Sequence, residues 1–291
     1  MDSLPYYLQT VLNGVLAGCI YALFAMGLTL IYGVLNFVNF AHGELIMWGA
    51  YFLFLAISEP FALPLYAAIP VALVITALLG AAMDFAVFRP LRQANRLTLL
   101  IAAIGLSFFL RNAAQLFWGA EVQTYGFEIR QGYQWFGLYL TPQQLAIIVI
   151  SVICIIGVYL LFFKSRMGKS MRALADNLDL ARISGIHTER TILSAWVISS
   201  LLAGVGGILL ALDTNLNPEM GVTNLIKAFA ATLIGGVGNI WGALAGGIII
   251  GLAENIAVLF ISPGYKDAVA FVIMVLILLV RPYVVIGERR D

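Results

Sequence analysis

Gly168-Lys169-Ser170 ends like a phosphate-binding loop, in which backbone amides and a lysine ammonium cradle a nucleotide. The complete motif needs a leading glycine, and the chain has Phe163 at that position. Without it the loop cannot turn, so this chain does not bind ATP for hydrolysis by that route. Other chemistries are equally short of residues. The two histidines and two cysteines form no His-Glu-x-x-His pair and no paired-cysteine spacing. Cys19 and Cys154 lie inside apolar runs and read as small core residues. No Ser-His-Asp arrangement can be argued, and a catalytic reading has little to stand on.

What remains is a set of polar groups within apolar surroundings. Asn36, Asn39, His42, Gly43 and Glu44 bring amides, an imidazole and a carboxylate into one apolar region. Such groups are costly at membrane depth and usually face a bundle interior or water. Asn36, Asn39 and His42 recur at three-residue steps, so one helical stripe could hold all three. They read either as a translocation path or a broken helix facing solute, or as hydrogen bonds holding helices together. Gly236 and Asn239 join the path candidates. Lys227 and Glu254 fall on adjacent glycine-rich spans and are expected to form an ion pair. Asp84 and Arg111 are expected to snorkel or pair near span ends.

These residues must be carried by membrane helices. The chain is 62% hydrophobic and 11% charged, against about 25% charged in soluble domains. Mean hydropathy is +0.98. Apolar spans occur at about 8–30, 34–57, 64–88, 97–118, 143–163, 190–212, 224–240, 241–261 and 267–283. The expected fold is an all-α polytopic membrane bundle of about eight or nine spans. The pair at 224–261 reads either as two spans or as one span and a broken half-helix. LIYGVLN (residues 30–36) and LIGGVGN (233–239) suggest an internal repeat, each followed by glycine at the same offset, Gly43 and Gly246. Steps of four join Gly14 to Gly18, Gly247 to Gly251, and Gly238, Gly242 and Gly246, a spacing that lets helices approach closely.

Basic residues set the expected orientation. Arg89, Arg92 and Arg96, the stretch 164–190, and Arg281, Arg289 and Arg290 are placed in the cytoplasm by the positive-inside rule. The N-terminus then lies outside and the C-terminus inside. The first residues carry no lysine or arginine, so the first span is expected to be retained rather than cleaved. The outer segments are 119–141 and 213–223. The chain reads as one integral domain, 1–291.

The stretch 164–190 is the one long polar, basic island in the chain. Asp176 is expected to cap a short helix over about 177–184, with Asp179 in its first turn and Gly185 as its stop. Leu174, Leu178 and Ile183 can share an apolar side. Such a helix can dock into a groove on a soluble partner; the plainer alternative is a solvated loop that only fixes topology.

Asp176 to Ile186, DNLDLARISGI, resembles the cytoplasmic loop of bacterial ABC-transporter permeases. Gly27 to Tyr51 and Ala231 to Gly247 are similar to the branched-chain amino acid permease family of LivH type. The resemblance covers nearly the whole chain and departs at Leu180-Ala181, where the family's loop has an Ala-Ala-like pair. It implies a permease subunit of a bacterial inner-membrane ABC importer, carrying branched-chain or other neutral amino acids. It implies coupling to ATPases through Asp176, Asp179, Leu180, Ala181, Arg182, Gly185 and Ile186. The partners it implies are a second, LivM-like permease, two cytoplasmic ATPases, an extracytoplasmic solute-binding protein and membrane lipid, with no nucleic acid. ATP and Mg would be used by the ATPases, and no cofactor would be bound by this chain. An importer of urea or short amides shares these motifs, and a stand-alone carrier or channel is the more distant alternative.

Overall fold

The computed structural model describes residues 3–127, 132–135 and 138–280. Arg281, Arg289 and Arg290, the end of the last expected span, and parts of the 119–141 segment lie outside the described residues.

Eleven α-helices and one small hairpin make up the described chain. The helices are α1 Ser3–Leu35, α2 His42–Ile57, α3 Leu65–Met83, α4 Arg96–Trp118 and α5 Pro142–Tyr159. They continue as α6 Arg166–Asp176, α7 Leu178–Ile183, α8 Thr188–Asp213, α9 Met220–Gly235, α10 Ile240–Ala257 and α11 Lys266–Val280. Strands β1 Tyr133–Trp135 and β2 Leu138–Leu140 pair antiparallel, with Tyr133 opposite Leu140. Gln9 of α1 pins the hairpin, accepting from Tyr139 N and donating to Tyr139 O.

Among the described residues, seven stretches are long and apolar enough to cross a membrane, including α3 and α5 with the π-helical turns that extend them. Helices α2 and α9 are apolar but shorter. The stretch 224–261 resolves into two helices, α9 and α10, which turn back on each other at residues 236–239. Gly236 and Gly238 take φ of +84° and +87° there, a backbone region that costs glycine little. Gly238 therefore serves a turn and not the packing its spacing suggested.

The other glycines of the four-residue steps do pack helices. Lipid tails are as apolar as leucine, so helix association in a membrane rests on close packing and internal polar contacts. Helix α1 runs antiparallel to α10 along a seam where Gly14 and Gly18 face Leu252 and Ile248, and Gly247 and Gly251 face Ala22 and Gly18. A Cβ at Gly246 would overlap Ala231 of α9. Gly43 of α2 packs in the same way on Gly221 of α9. Helices α1, α2, α8, α9 and α10 supply most of the core, and α4, α5 and α11 are largely uncovered.

Both copies of the proposed repeat end a helix. LIYGVLN closes α1, and Asn36 takes φ of +53° beyond it. LIGGVGN closes α9 and continues into α10.

Candidate functional site

The chain between α1 and α2 corrects one expectation. Asn36, Asn39 and His42 do not lie along one helical stripe, because α1 stops at Leu35 and α2 begins only at His42. The left-handed Asn36 backbone breaks the helix, and Asn39 restarts it. The Asn39 side-chain oxygen accepts from Ala41 N at 3.1 Å, and its carbonyl accepts from His42 N at 3.2 Å. Asn36 is exposed, whereas Asn39 is fully buried.

The first turn of α2 is then enclosed by four helices. His42 Nε2 lies 3.2 Å from Phe24 O of α1, and its Nδ1 lies 3.3 Å from Ser199 Oγ of α8. Ser199 Oγ also donates to Gly27 O at 2.8 Å. Gly43 abuts α9. Glu44 Oε1 accepts from Ser107 Oγ and from Arg111 Nη2 of α4, each at 2.7 Å. Arg111 thus pairs with a carboxylate buried in the protein. The imidazole and carboxylate each have protein partners, so their contacts bind helices to one another. Asn39 Nδ2 and Glu44 Oε2 are buried without a hydrogen-bond partner. Gly236 and Asn239 lie apart from this turn, at the α9–α10 reversal. Asn239 caps α10, its side-chain oxygen accepting from Trp241 N and Gly242 N.

Toward the opposite end of α9 stands a second polar group. Lys227 Nζ donates to Tyr21 OH at 2.9 Å and lies 2.7 Å from Asp267 Oδ1 and 3.4 Å from Glu254 Oε1. Tyr21 OH donates to Glu254 Oε2 at 2.8 Å. Four helices, α1, α9, α10 and α11, meet in these contacts. Lys227 also forms part of a cleft of about 610 Å³ that includes residues from the 119–122 and 213–219 segments. That is the end of the bundle away from Arg89, Arg92 and Arg96.

The basic end is held by a different set. Arg92 Nη2 reaches both oxygens of Asp84, at 2.7 and 2.6 Å. Arg92 and Arg89 both reach Glu189 at the start of α8, at 2.7 and 3.0 Å. The α3–α4 connection is thereby tied to the end of the 164–190 stretch.

Within that stretch, Ser165 caps α6, its hydroxyl accepting from Gly168 N at 3.0 Å. Met171 and Leu174 turn inward from α6. The cap of α7 corrects another expectation. Asp176 is the last residue of α6, and Asn177 is the cap, its side-chain oxygen accepting from Leu180 N at 2.9 Å. Asn177 has an extended backbone, as a cap requires, whereas Asp176 is still helical. Asp179 sits in the first turn of α7 and Ala181 is its one buried residue. Gly185 ends it at φ +83°, with Gly185 N donating to Arg182 O and Ile186 N to Ala181 O. Leu174, Leu178 and Ile183 do not share one side. Leu174 is buried against the bundle, while Leu178, Leu180 and Ile183 are exposed. The kink at Asn177 turns α7 away from the direction of α6, which separates the residues.

The family described as "Branched-chain amino acid transport system / permease component" matches residues 10–278. The chain belongs to this family. It is 35% identical to the high-affinity branched-chain amino acid transport system permease protein BraD of Pseudomonas aeruginosa, over 99% of this chain and 98% of that one. It is also 35% identical to the corresponding LivH of Escherichia coli, over 99% and 97%. A probable branched-chain amino acid transport permease protein LivH of Methanocaldococcus jannaschii is 31% identical over 91% and 88%. Among solved structures, PsaBC from Streptococcus pneumoniae in complex with Fab is similar with a TM-score of 0.51 and 11% identity, over 95% of this chain and 94% of that one. A metal-chelate type ABC transporter in an inward-facing conformation gives 0.52 and 15%, over 94% and 85%. At these identities the two structures speak for the fold alone.

Several residues that organise this branched-chain-type permease escaped the sequence reading. Ser107 was not singled out, although it stands four residues before Arg111 and so shares a helix face with it. Tyr21, Asn224 and Asp267 were missed around Lys227. Asp267 carried a signal as a lone acid at the start of an apolar span. Tyr21 carried none, since a tyrosine in an apolar helix reads as core.

Proposed function

We propose that this chain is a transmembrane permease subunit of an ABC importer for branched-chain or other neutral amino acids. One observation carries the reading. A bundle matched nearly end to end to named transport permeases presents, at its basic end, a capped helix with uncovered apolar side chains.

That basic end faces the cytoplasm of a bacterial cell, with the N-terminus outside and the C-terminus inside, in keeping with the arginine distribution. Helix α7 inserts into a groove on a cytoplasmic ATPase. Asp176, Asp179, Leu180, Arg182, Gly185 and Ile186 border that contact, and Ala181 fastens the helix to the bundle. Its mode is helix-in-groove docking, with Leu178, Leu180 and Ile183 as the apolar anchors. ATP and Mg are handled by two such ATPases. A second, LivM-like permease covers part of the open surface of α4, α5 and α11, and an extracytoplasmic binding protein delivers solute to the opposite end. Differential contact of the ATPases with two permease states shifts the bundle between them. The α1–α2 break, with Asn36, Asn39, His42, Gly43 and Glu44, lies near the path, as do Gly236 and Asn239 at the α9–α10 reversal. The whole chain, 1–291, acts as one domain.

The test is leucine uptake into vesicles. Uptake is expected with the two permeases, the ATPases, the binding protein and ATP together, and none with this chain alone. Uptake by the purified chain without ATP would make it a carrier or channel. Uptake of urea in place of leucine by the complete assembly would assign the other solute.

A further inference from the structure

The cleft that opens beside Lys227 carries both charge signs, an apolar wall and an unmet acceptor. Lys227 is 6% exposed, yet three acceptors crowd its ammonium: Tyr21 OH, Glu254 and Asp267. Glu254 is sealed in the protein, while the Asp267 side chain is 62% exposed. Of the two carboxylates, Asp267 alone is free to leave for the cleft. Asn224 is 6% exposed and lines the same cleft. Its amide nitrogen donates to Met220 O at 2.8 Å, and its Oδ1 has no partner. A buried acceptor without a donor is costly, which marks a position where a ligand donor would be stabilised. Ala17, Ile20, Val122, Leu210 and Met220 supply apolar wall.

We infer that this cleft receives the head group of a zwitterionic amino acid with an apolar side chain, an inference that rests on the importer reading. The α-carboxylate takes the Asp267 position on Lys227 Nζ. Asp267 swings to the α-ammonium, and Asn224 Oδ1 accepts a second ammonium hydrogen. The exchange leaves every charge paired, because the Lys227–Asp267 pair is replaced by two pairs with solute while Glu254 stays beside Lys227. A simple anion would strand Asp267, and a simple cation would draw Asp267 from Lys227, so each loses one of the two contacts. Among the described residues, Asp213, Glu219 and Lys266 complete the charged groups that face the cleft. Lys266 is held aside, donating to Asn255 Oδ1 at 3.3 Å.

The experiment uses the complete importer in vesicles with leucine-loaded binding protein, and reads ATP hydrolysed per leucine imported. Asp267→Asn is expected to raise that ratio about tenfold and Asn224→Ala about threefold, since each removes contacts to solute and none to the ATPases. A ratio that moves less than about twofold in both variants overturns the site. So does a parallel fall of uptake and hydrolysis in both, which assigns these residues to structure. An unaltered assembly that moves no amino acid at all sinks the importer reading itself, and is told apart because it needs no variant.

Discussion

Glu44 Oε1 and Arg111 Nη2 stand 2.7 Å apart, a charge pair that fastens the first turn of α2 to α4. Glu44 is fully buried and the Arg111 side chain is 18% exposed. Two charges inside a bundle are costly singly and tolerable together.

That asymmetry gives the first prediction. Arg111→Met leaves the Glu44 carboxylate buried with only Ser107 as donor, and is expected to cost about 3 kcal/mol or more of stability. The double variant Glu44→Gln with Arg111→Met should recover most of the loss, because no bare charge remains. Thermal unfolding of the three proteins in detergent measures it. A double variant no better than the single one would show that shape and not charge sets the cost.

At the basic end, exposure separates two arginine contacts. Glu189 is about half exposed, so Glu189→Gln should cost less than about 1 kcal/mol. Asp84 is 3% exposed, and Arg92→Gln removes the partner of both its oxygens. That change should destabilise by at least about 2 kcal/mol more than Glu189→Gln. Equal losses in a melting experiment would contradict the ranking.

Gly185 offers a test of backbone against bulk. A Cβ there meets nothing within 4 Å, so size alone does no harm. Its φ of +83° is the constraint. Gly185→Asn should preserve leucine uptake by the assembled importer within about twofold, since asparagine tolerates left-handed backbone better than other residues. Gly185→Val should reduce uptake about tenfold or more by straining the end of α7. Equal uptake in both variants removes the conformational requirement.

The α1–α10 seam separates packed glycines from open ones. A side chain at Gly251 would run into the backbone of Gly18, whereas a Cβ at Gly105 of α4 meets nothing within 4 Å. Gly251→Leu is expected to cost about 1–3 kcal/mol or abolish folding, and Gly105→Leu to leave the melting temperature of the isolated chain within error. Folded yield and melting in detergent report both.

Much of this was legible in the residue order, and the failures have physical causes. Apolar length marked most of the helices, because it reflects the solvent around them. The α7 helix was found from its caps, one residue out, since aspartate and asparagine cap alike and only the backbone angle decides between Asp176 and Asn177. The stripe drawn through Asn36, Asn39 and His42 failed because three-residue spacing is meaningful only on unbroken helix. The Lys227–Glu254 pair was read from the two adjacent spans and stands at 3.4 Å, but the partners of Glu44 and the Tyr21 hydroxyl on Lys227 were hidden for another reason. Ser107 and Arg111 stand more than sixty residues from Glu44, and Tyr21 more than two hundred from Lys227. Contacts at that separation are set by packing, which a local pattern does not encode.

The most direct measurement places a photo-crosslinking side chain at Leu180, an exposed residue of α7, in the assembled importer with and without ATP. The expected result is an adduct with an ATPase subunit in at least one nucleotide state, and none from the same group at Leu116 on the open face of α4. If Leu180 yields no ATPase adduct in any state while the assembly still imports leucine, coupling through α7 is contradicted.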